Sequence, residues 1–401
     1  MLRKPYRLRM QLIVLTLARL VLNTGIRMVY PFAPALSRGL GVEITAVYRL
    51  LTLRSLTGFV SPLFGPLSDR FGRKPVIVVS MLLCTLACIL VVMWPAYWPL
   101  GITLILIALA KVIYDPAVSA YLGDVVPFAR RGRAIAVIEF AWAGALLVGA
   151  PVVGWLIAQK GWQSPFLWMA LLAGGTAVIL FVVLPPTQAT SIRTTRLRDL
   201  PQTVRQHPVI WAAIAYVLLS AAANEIFFIV YGDWMEAGFN LPLTGLGLAA
   251  GVVGGAEILG EGAVGLLVDR FGKRFTVAAG LLCVLMYGLI PSTSGTLTTA
   301  LISLFFLFLG FEMMIVGAIP LLTELVPGAR ATVMSVVGAA SSLGRALGTV
   351  IGPFLWKRGG LAMNAGAAAV LTVIAVFIVA RWLHVAQPET KRASHLTSID
   401  E

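Results

Sequence analysis

Ionisable side chains inside long apolar runs are the residues whose chemistry matters first. Arg27, Arg54, Lys111, Asp115 and Glu139 stand before residue 185, and Glu225, Glu257, Glu261, Glu312 and Arg345 after it. A charge embedded among apolar residues is costly, so each is a candidate for function. Lys111 and Asp115 have helical i, i+4 spacing, as do Glu257 and Glu261, so each pair would share one helix face. The first pair could balance charge or form part of a coupling site. The second brings like charges together, which Arg345 or Arg54 could compensate. Glu225 follows Asn224, and Glu312 lies between Phe311 and Met313. Carboxyls in such surroundings are the group type that can load and release a proton. His207, His384 and His395 fall outside the apolar runs, which leaves carboxylates as the proton carriers. Tyr30, Tyr114, Phe227, Phe228, Phe311, Met313 and Met314 could accommodate amphipathic compounds nearby.

The elements that must position these groups follow from composition. The chain of 401 residues is 59% hydrophobic and 12% charged, with a mean hydropathy of +0.92. Such a chain must place most of its surface against lipid. At about 20 residues per crossing, the apolar runs predict twelve transmembrane helices near 11–34, 44–67, 75–94, 99–124, 133–158, 165–184, 209–231, 244–267, 275–291, 297–322, 332–356 and 362–383. The expectation is an all-α membrane protein with two pseudo-symmetric six-helix bundles. Residues 1–184 would form the first, 185–208 a polar basic linker, and 209–401 the second with a short tail. The net charge of +14 comes from clusters between apolar runs, not from a stripe that would suit nucleic acid. Arg3, Lys4, Arg7 and Arg9 fall on one side with Arg70, Arg73, Lys74, Arg130, Arg131, Arg133, Arg270, Lys273, Arg274 and Arg330. The other side keeps Arg38, Lys160, Lys357 and Arg358. The positive-inside rule then predicts two cytoplasmic termini in a cell inner membrane. Trp94, Tyr97, Trp98, Trp162, Trp234 and Trp356 are expected as an aromatic belt at the outer helix ends.

Enzymatic chemistry finds little support. There is no H-E-x-x-H and no Walker loop, and Ala340-Ser-Ser342-Leu-Gly344 only approximates a nucleophile elbow. Gly245-x-Gly247 follows no strand, so it does not make a nucleotide loop. Cys84, Cys88 and Cys283 lie inside apolar runs, where packing is their ordinary use. Neither a metal nor any other cofactor is expected.

The sequence also repeats. Gly65-Pro-Leu-Ser-Asp69-Arg70-Phe71-Gly72-Arg73-Lys74 returns as Gly265-Leu-Leu-Val-Asp269-Arg270-Phe271-Gly272-Lys273-Arg274. At the same offset of 200, Asp124-Val-Val-Pro127 with Arg130 returns as Glu324-Leu-Val-Pro327 with Arg330. Two motifs in one register indicate duplication. The first decapeptide matches the best-known loop motif of the major facilitator superfamily, and the chain resembles that superfamily over nearly its whole length.

The resemblance implies alternating access between two bundles around a midplane cavity. It implies that the first, fourth, seventh and tenth spans line this cavity, which assigns Arg27, Lys111, Asp115, Glu225 and Glu312 to substrate or proton coupling, with Glu257 close by. It implies a latch of the outward-facing state built from Gly65, Asp69, Arg70, Gly72, Arg73 and Asp124, with Asp269, Arg270 and Glu324 as its second copy. Gly149 and Pro151, and more closely Gly352-Pro353, resemble the helix-bend motif of drug/proton antiporter-type exporters, although Ala150 separates the first two. The expected function is a proton-coupled exporter of small organic or amphipathic compounds. The alternatives are a proton-linked sugar or organic-ion symporter and a lipid transporter. Expected partners are a small-molecule substrate, protons and the bilayer, with no nucleic acid, and the chain is expected to act as a monomer.

Overall fold

The computed structural model describes residues 4–186, 204–326 and 330–383. Most of the expected linker (187–203), Pro327 and the tail from His384 onward lie outside the described residues. The first stretch is called here the N-terminal segment and the other two the C-terminal segment. Both are helical, with no strand among the described residues.

The N-terminal segment starts with α1 (Lys4–Arg27) and α2 (Val29–Leu40), which meet at a bend at Met28. Next come α3 (Ile44–Ser55), a 3-10 stretch (Leu56–Val60) and α4 (Ser61–Phe71). The long helices α5 (Arg73–Met93) and α6 (Tyr97–Val125) follow. Then α7 (Phe128–Glu139), α8 (Ala141–Gly144), a π-helical turn (Ala145–Gly149) and α9 (Ala150–Lys160) form one interrupted rod before α10 (Ser164–Val183). In the C-terminal segment, α11 (Val209–Phe228) and α12 (Tyr231–Phe239) precede α13 (Leu243–Phe271), α14 (Lys273–Thr293) and α15 (Leu297–Glu324). The last element, α16 (Arg330–Trp382), is broken at Gly359 and Gly360.

Among the described residues, ten helices are long and apolar enough to cross a membrane, so this is a multi-pass membrane protein. Three of the expected twelve segments do not appear as separate helices of that kind, one because it is broken and two because they are merged. The stretch 44–67 carries Arg49 and Arg54 and breaks into a 3-10 turn, so no single piece of it is both long and apolar. The stretches 332–356 and 362–383 are merged in α16, whose 53 residues would span roughly 80 Å if straight. The non-helical angles at Gly359 and Gly360 interrupt that length.

The sequence repeat has a structural counterpart. Gly72, between α4 and α5, has φ 87°, and Gly272, between α13 and α14, has φ 53°. Both D-R-F-G copies thus end a helix on a residue whose backbone an L side chain rarely adopts.

The two segments meet along α13 and the α7–α9 rod. A Cβ on Gly254 would lie 2.6 Å from the Ala143 carbonyl, one on Gly247 2.6 Å from that of Ala150, and one on Gly154 2.5 Å from that of Leu243. The two rods therefore run antiparallel with backbones nearly touching, an approach that only small residues permit. In this register the Phe271 end of α13 and the Phe128 end of α7 reach one face, called the basic face. The apolar core crosses between segments toward the opposite face, through Tyr30, Phe32, Phe227, Phe228, Val230, Tyr231 and Leu246. A second core lies wholly within the C-terminal segment, between α11, α15 and α16.

The aromatic belt needs one correction. Trp94 and Trp98 are exposed, but Trp162 and Trp234 are buried. Trp162 fills the space above Gly39, and Trp234 packs edge-on against Phe227. Both serve packing between helices, not anchorage at the lipid interface.

Candidate functional site

A cavity of about 740 Å³ lies between the two segments. Its deep end is formed by Tyr30, Glu225 and Phe228, and Ala136, Gly265, Leu322 and Met334 line it toward the basic face. Its remaining charged lining is Arg27, Glu139, Glu257, Glu261, Glu312 and Arg345.

At the last residue of α1, Arg27 makes a two-pronged ion pair with Glu257 of α13, at 2.5 and 2.6 Å. Both side chains are almost fully buried, at 5% and 3% exposure. Arg27 also donates to the Trp142 carbonyl at 3.0 Å, and its guanidinium lies 4.4 Å from the centre of the Trp142 ring. Glu257 therefore pairs with neither Arg345 nor Arg54. Arg54 donates instead to the Ile26 carbonyl at 2.6 Å and to the Tyr30 hydroxyl at 2.8 Å. The Tyr30 hydroxyl in turn donates to Glu225 at 2.8 Å. The chain Arg54, Tyr30, Glu225 crosses from the N-terminal to the C-terminal segment. Further toward the opposite face, Arg38 and Glu236 form an exposed two-pronged pair at 2.7 and 2.8 Å, and Thr52 hydrogen-bonds Thr349 at 2.9 Å.

Lys111 and Asp115 pair at 2.7 Å, as their spacing predicts. They are not among the cavity-lining residues, contrary to their expected place. The reason is a residue that the sequence reasoning passed over, Arg19 on α1, which pairs with Asp115 at 3.1 Å and with Glu139 at 2.7 Å. The four charges satisfy one another between α1, α6 and α7, with Lys111 and Asp115 behind the cavity wall and Glu139 at its edge. Arg19 stands two helical turns before Arg27 in the same apolar run, which was the available signal. Trp142 was missed too. Its signal was a tryptophan far from either end of an apolar run, where no interface needs one.

Glu261 and Glu312 line the cavity without an ion pair or hydrogen bond among the described residues. Glu312 is 7% exposed, and its side chain covers Gly260, where a Cβ would come within 2.9 Å of the Glu312 Cβ. That contact brings α15 against the stretch of α13 that holds Glu257 and Glu261. Glu225, Glu257 and Glu312 thus meet at one cavity that Arg27 and Arg345 also line.

The expected latch residues gather only in the N-terminal segment. Arg73, 3% exposed in its side chain, pairs with Asp69 and reaches Asp124 at 3.1 Å. Gly72 and Arg70 complete that corner at the end of α4, and Gly65 lies within the same helix. In the second copy, Glu324 pairs with Arg330 at 2.7 Å on the exposed surface, and Arg270 lies over the Phe271 ring. Asp269 is at the exposed end of α13. The bend motifs sit at helix contacts. A Cβ on Gly149 would meet Thr24 at 2.4 Å, and one on Gly352 would meet the Ile226 carbonyl at 2.8 Å. Pro151 follows the π-helical turn, and Pro353 lies inside α16.

Comparison with known proteins agrees with this architecture. A family model described as Major Facilitator Superfamily matches residues 15–256 and 216–399. Multidrug resistance protein 1 of Bacillus subtilis (strain 168) is 25% identical over 346 residues, covering 82% of this chain and 85% of the relative. Tetracycline resistance protein, class C, of Escherichia coli is 27% identical over 267 residues, covering 64% and 67%. Among solved structures, a bacterial homolog of the human lysosomal transporter Spinster, in an inward-facing and unoccupied conformation, aligns with a TM-score of 0.72. It is 14% identical and covers 94% of this chain and 96% of its own.

Proposed function

This chain belongs to the major facilitator superfamily, and on that ground we propose that it is a proton-coupled exporter of small organic or amphipathic compounds. It works by alternating access, with twelve crossings arranged as two six-helix bundles joined by the stretch around 185–208. The termini and the basic face lie in the cytoplasm, and the membrane is the cell inner membrane. In this reading the cavity opens to the cytoplasm, and the contacts from Arg27 to Arg38 close the outer side.

The observation that carries the reading is Glu312. A buried carboxyl without an ion pair, on the wall of a cavity large enough for an organic compound, is suited to exchange a proton as access alternates. Glu225 is the other carboxyl of this kind, although Tyr30 already engages it. Arg27 and Glu257 would hold the outer closure, while Lys111 and Asp115 stabilise the wall behind it. The relatives named for multidrug and tetracycline resistance support export and an organic substrate.

The test is flux of a fluorescent amphipathic dye in proteoliposomes under an imposed pH gradient, alongside dye exchange without a gradient. Glu312→Gln should abolish gradient-driven flux and retain exchange. Glu225→Gln should lose less. If both variants respond to the gradient as the parent does, neither carboxyl carries the proton, and Glu257 or Asp115 becomes the candidate.

A further inference from the structure

Arg27 is held from both sides of the interface. Glu257, on the C-terminal segment, takes both of its terminal nitrogens. Trp142, on the N-terminal segment, gives it a carbonyl oxygen and the face of an indole. The same ring has the Lys111 ammonium 5.6 Å from its centre and the Arg345 guanidinium at 5.8 Å. One indole therefore stands among cations from α1, α6 and α16. The backbone around it is unusual as well. Trp142 lies just before the π-helical turn Ala145–Gly149, where α13 approaches so closely that a Cβ on Gly254 would sit 2.4 Å from the Leu147 nitrogen.

The two-bundle reading above gives this geometry a consequence. Opening the opposite face separates the segments, so Glu257 must part from Arg27, whereas Trp142 moves with Arg27. The acids of the N-terminal segment nearest to this cluster cannot replace Glu257. Asp115 is engaged by Lys111 and Arg19, and Glu139 by Arg19. The other acids around the Arg27–Glu257 pair, Glu225 on α11, Glu261 on α13 and Glu312 on α15, belong to the departing segment with Arg345 on α16, while the cation Lys111 stays beside Arg27. Separation leaves the Arg27 guanidinium without its counter-charge, and an indole is the best ring to hold such a cation.

We infer that Trp142 is a positioning residue that retains Arg27 on the N-terminal segment once Glu257 releases it, and thereby sets how readily the chain opens its opposite face. In the closed arrangement the ring is partly redundant with Glu257. In the open one it is the partner that remains.

Two labels report the separation directly. Spin labels at Lys160→Cys and Thr298→Cys, exposed positions on the two segments, give the distance by pulsed electron resonance in lipid nanodiscs. The native cysteines are buried. Glu257→Gln should raise the separated population. With Glu257 intact, Trp142→Leu should lower the separated population about tenfold, and Trp142→Phe about threefold, as ring quadrupole strength ranks them. Beside Glu257→Gln, where the ring is the partner of Arg27 in both arrangements, Trp142→Leu should shift the population less. A purely structural tryptophan would give equal effects in both backgrounds, or equal losses for Phe and Leu, and either result overturns the inference. So does a Glu257→Gln protein whose labels stay together. Gradient-driven dye flux in the parent is measured separately. Its absence would remove the proton-coupled reading and leave the label distances to decide the role of Trp142.

Discussion

Replacing Arg27 with methionine leaves the Glu257 carboxylate, 3% exposed in its side chain, without its cation. At about 4 Å between charge centres and an effective dielectric of about 20, the lost attraction is roughly 4 kcal/mol. Breaking one side of a buried pair costs about 3–5 kcal/mol, so the two estimates agree. Removing both charges together, with Arg27→Met and Glu257→Met, should cost much less, because an apolar pair of similar volume is often a neutral replacement for a buried ion pair. The melting temperature of purified protein in one detergent and one buffer reads this out. Each single variant should melt well below the parent and the double variant close to it. Arg38→Ala is the control. That pair has the same two-pronged geometry, but Arg38 is 60% exposed in its side chain, and an exposed pair contributes about 0.2–1 kcal/mol. Its variant should melt within a degree or two of the parent on that scale. If the losses of the two single variants simply add in the double variant, Arg27 and Glu257 are not energetically coupled, and the electrostatic account of the closed side fails.

The two loop copies should respond unequally. Asp69→Asn removes a partner of the buried Arg73, whereas Asp269 lies at the exposed end of α13; the first variant should slow dye flux strongly and the second weakly, with both folded by size-exclusion profile. Glycine positions on α13 should divide by what they face. Gly254→Ala, whose Cβ would strike the Leu147 nitrogen at 2.4 Å, should lower the melting temperature and pry the segments apart. Gly262→Ala, with nothing within 4 Å of its Cβ, should leave stability unchanged or raise it by about 0.5–1 kcal/mol through helix propensity. Equal destabilisation by the two would contradict the close approach of the rods.

The helical plan was legible because it rests on long-range averages: apolar run length, basic clusters and a repeat at one offset. The runs that failed to appear as separate apolar helices are those where local chemistry outweighs the average, at Arg49 and Arg54 in one and at a paired glycine between the other two. Within the site, i, i+4 spacing gave the Lys111–Asp115 pair, since both partners share a helix. Pairs between helices were a different matter. Glu257 could have met Arg27, Arg54 or Arg345, and the close packing of α13 on the α8–α9 rod at glycines 247 and 254, with α1 beside that rod, selects Arg27. Arg19 holds Asp115 behind the cavity wall and engages Glu139 at its edge for the same kind of reason. The sequence carries which charges are buried, but the pairing depends on helix rotations.

How those pairings divide the charge bears on energy coupling. On the N-terminal segment, Arg19, Arg27, Arg54 and Lys111 against Asp115 and Glu139 leave a formal charge of 4 − 2 = +2. On the C-terminal segment, Glu225, Glu257, Glu261 and Glu312 against Arg345 leave 1 − 4 = −3. The closed arrangement brings the two sets together and comes within a single charge of neutrality, so one proton on the acidic side would complete it. Separation undoes that balance. The N-terminal set can keep much of its compensation, through the Arg19, Lys111, Asp115 and Glu139 network and through the Trp142 ring. The C-terminal acids have only Arg345 among the cations of this set. Opening toward the opposite face therefore favours uptake of positive charge by the C-terminal acids, and closure favours its release. In the proposed proton-coupled exporter, that asymmetry would tie proton loading to one orientation of the cavity, the linkage that an inward proton gradient needs in order to drive export.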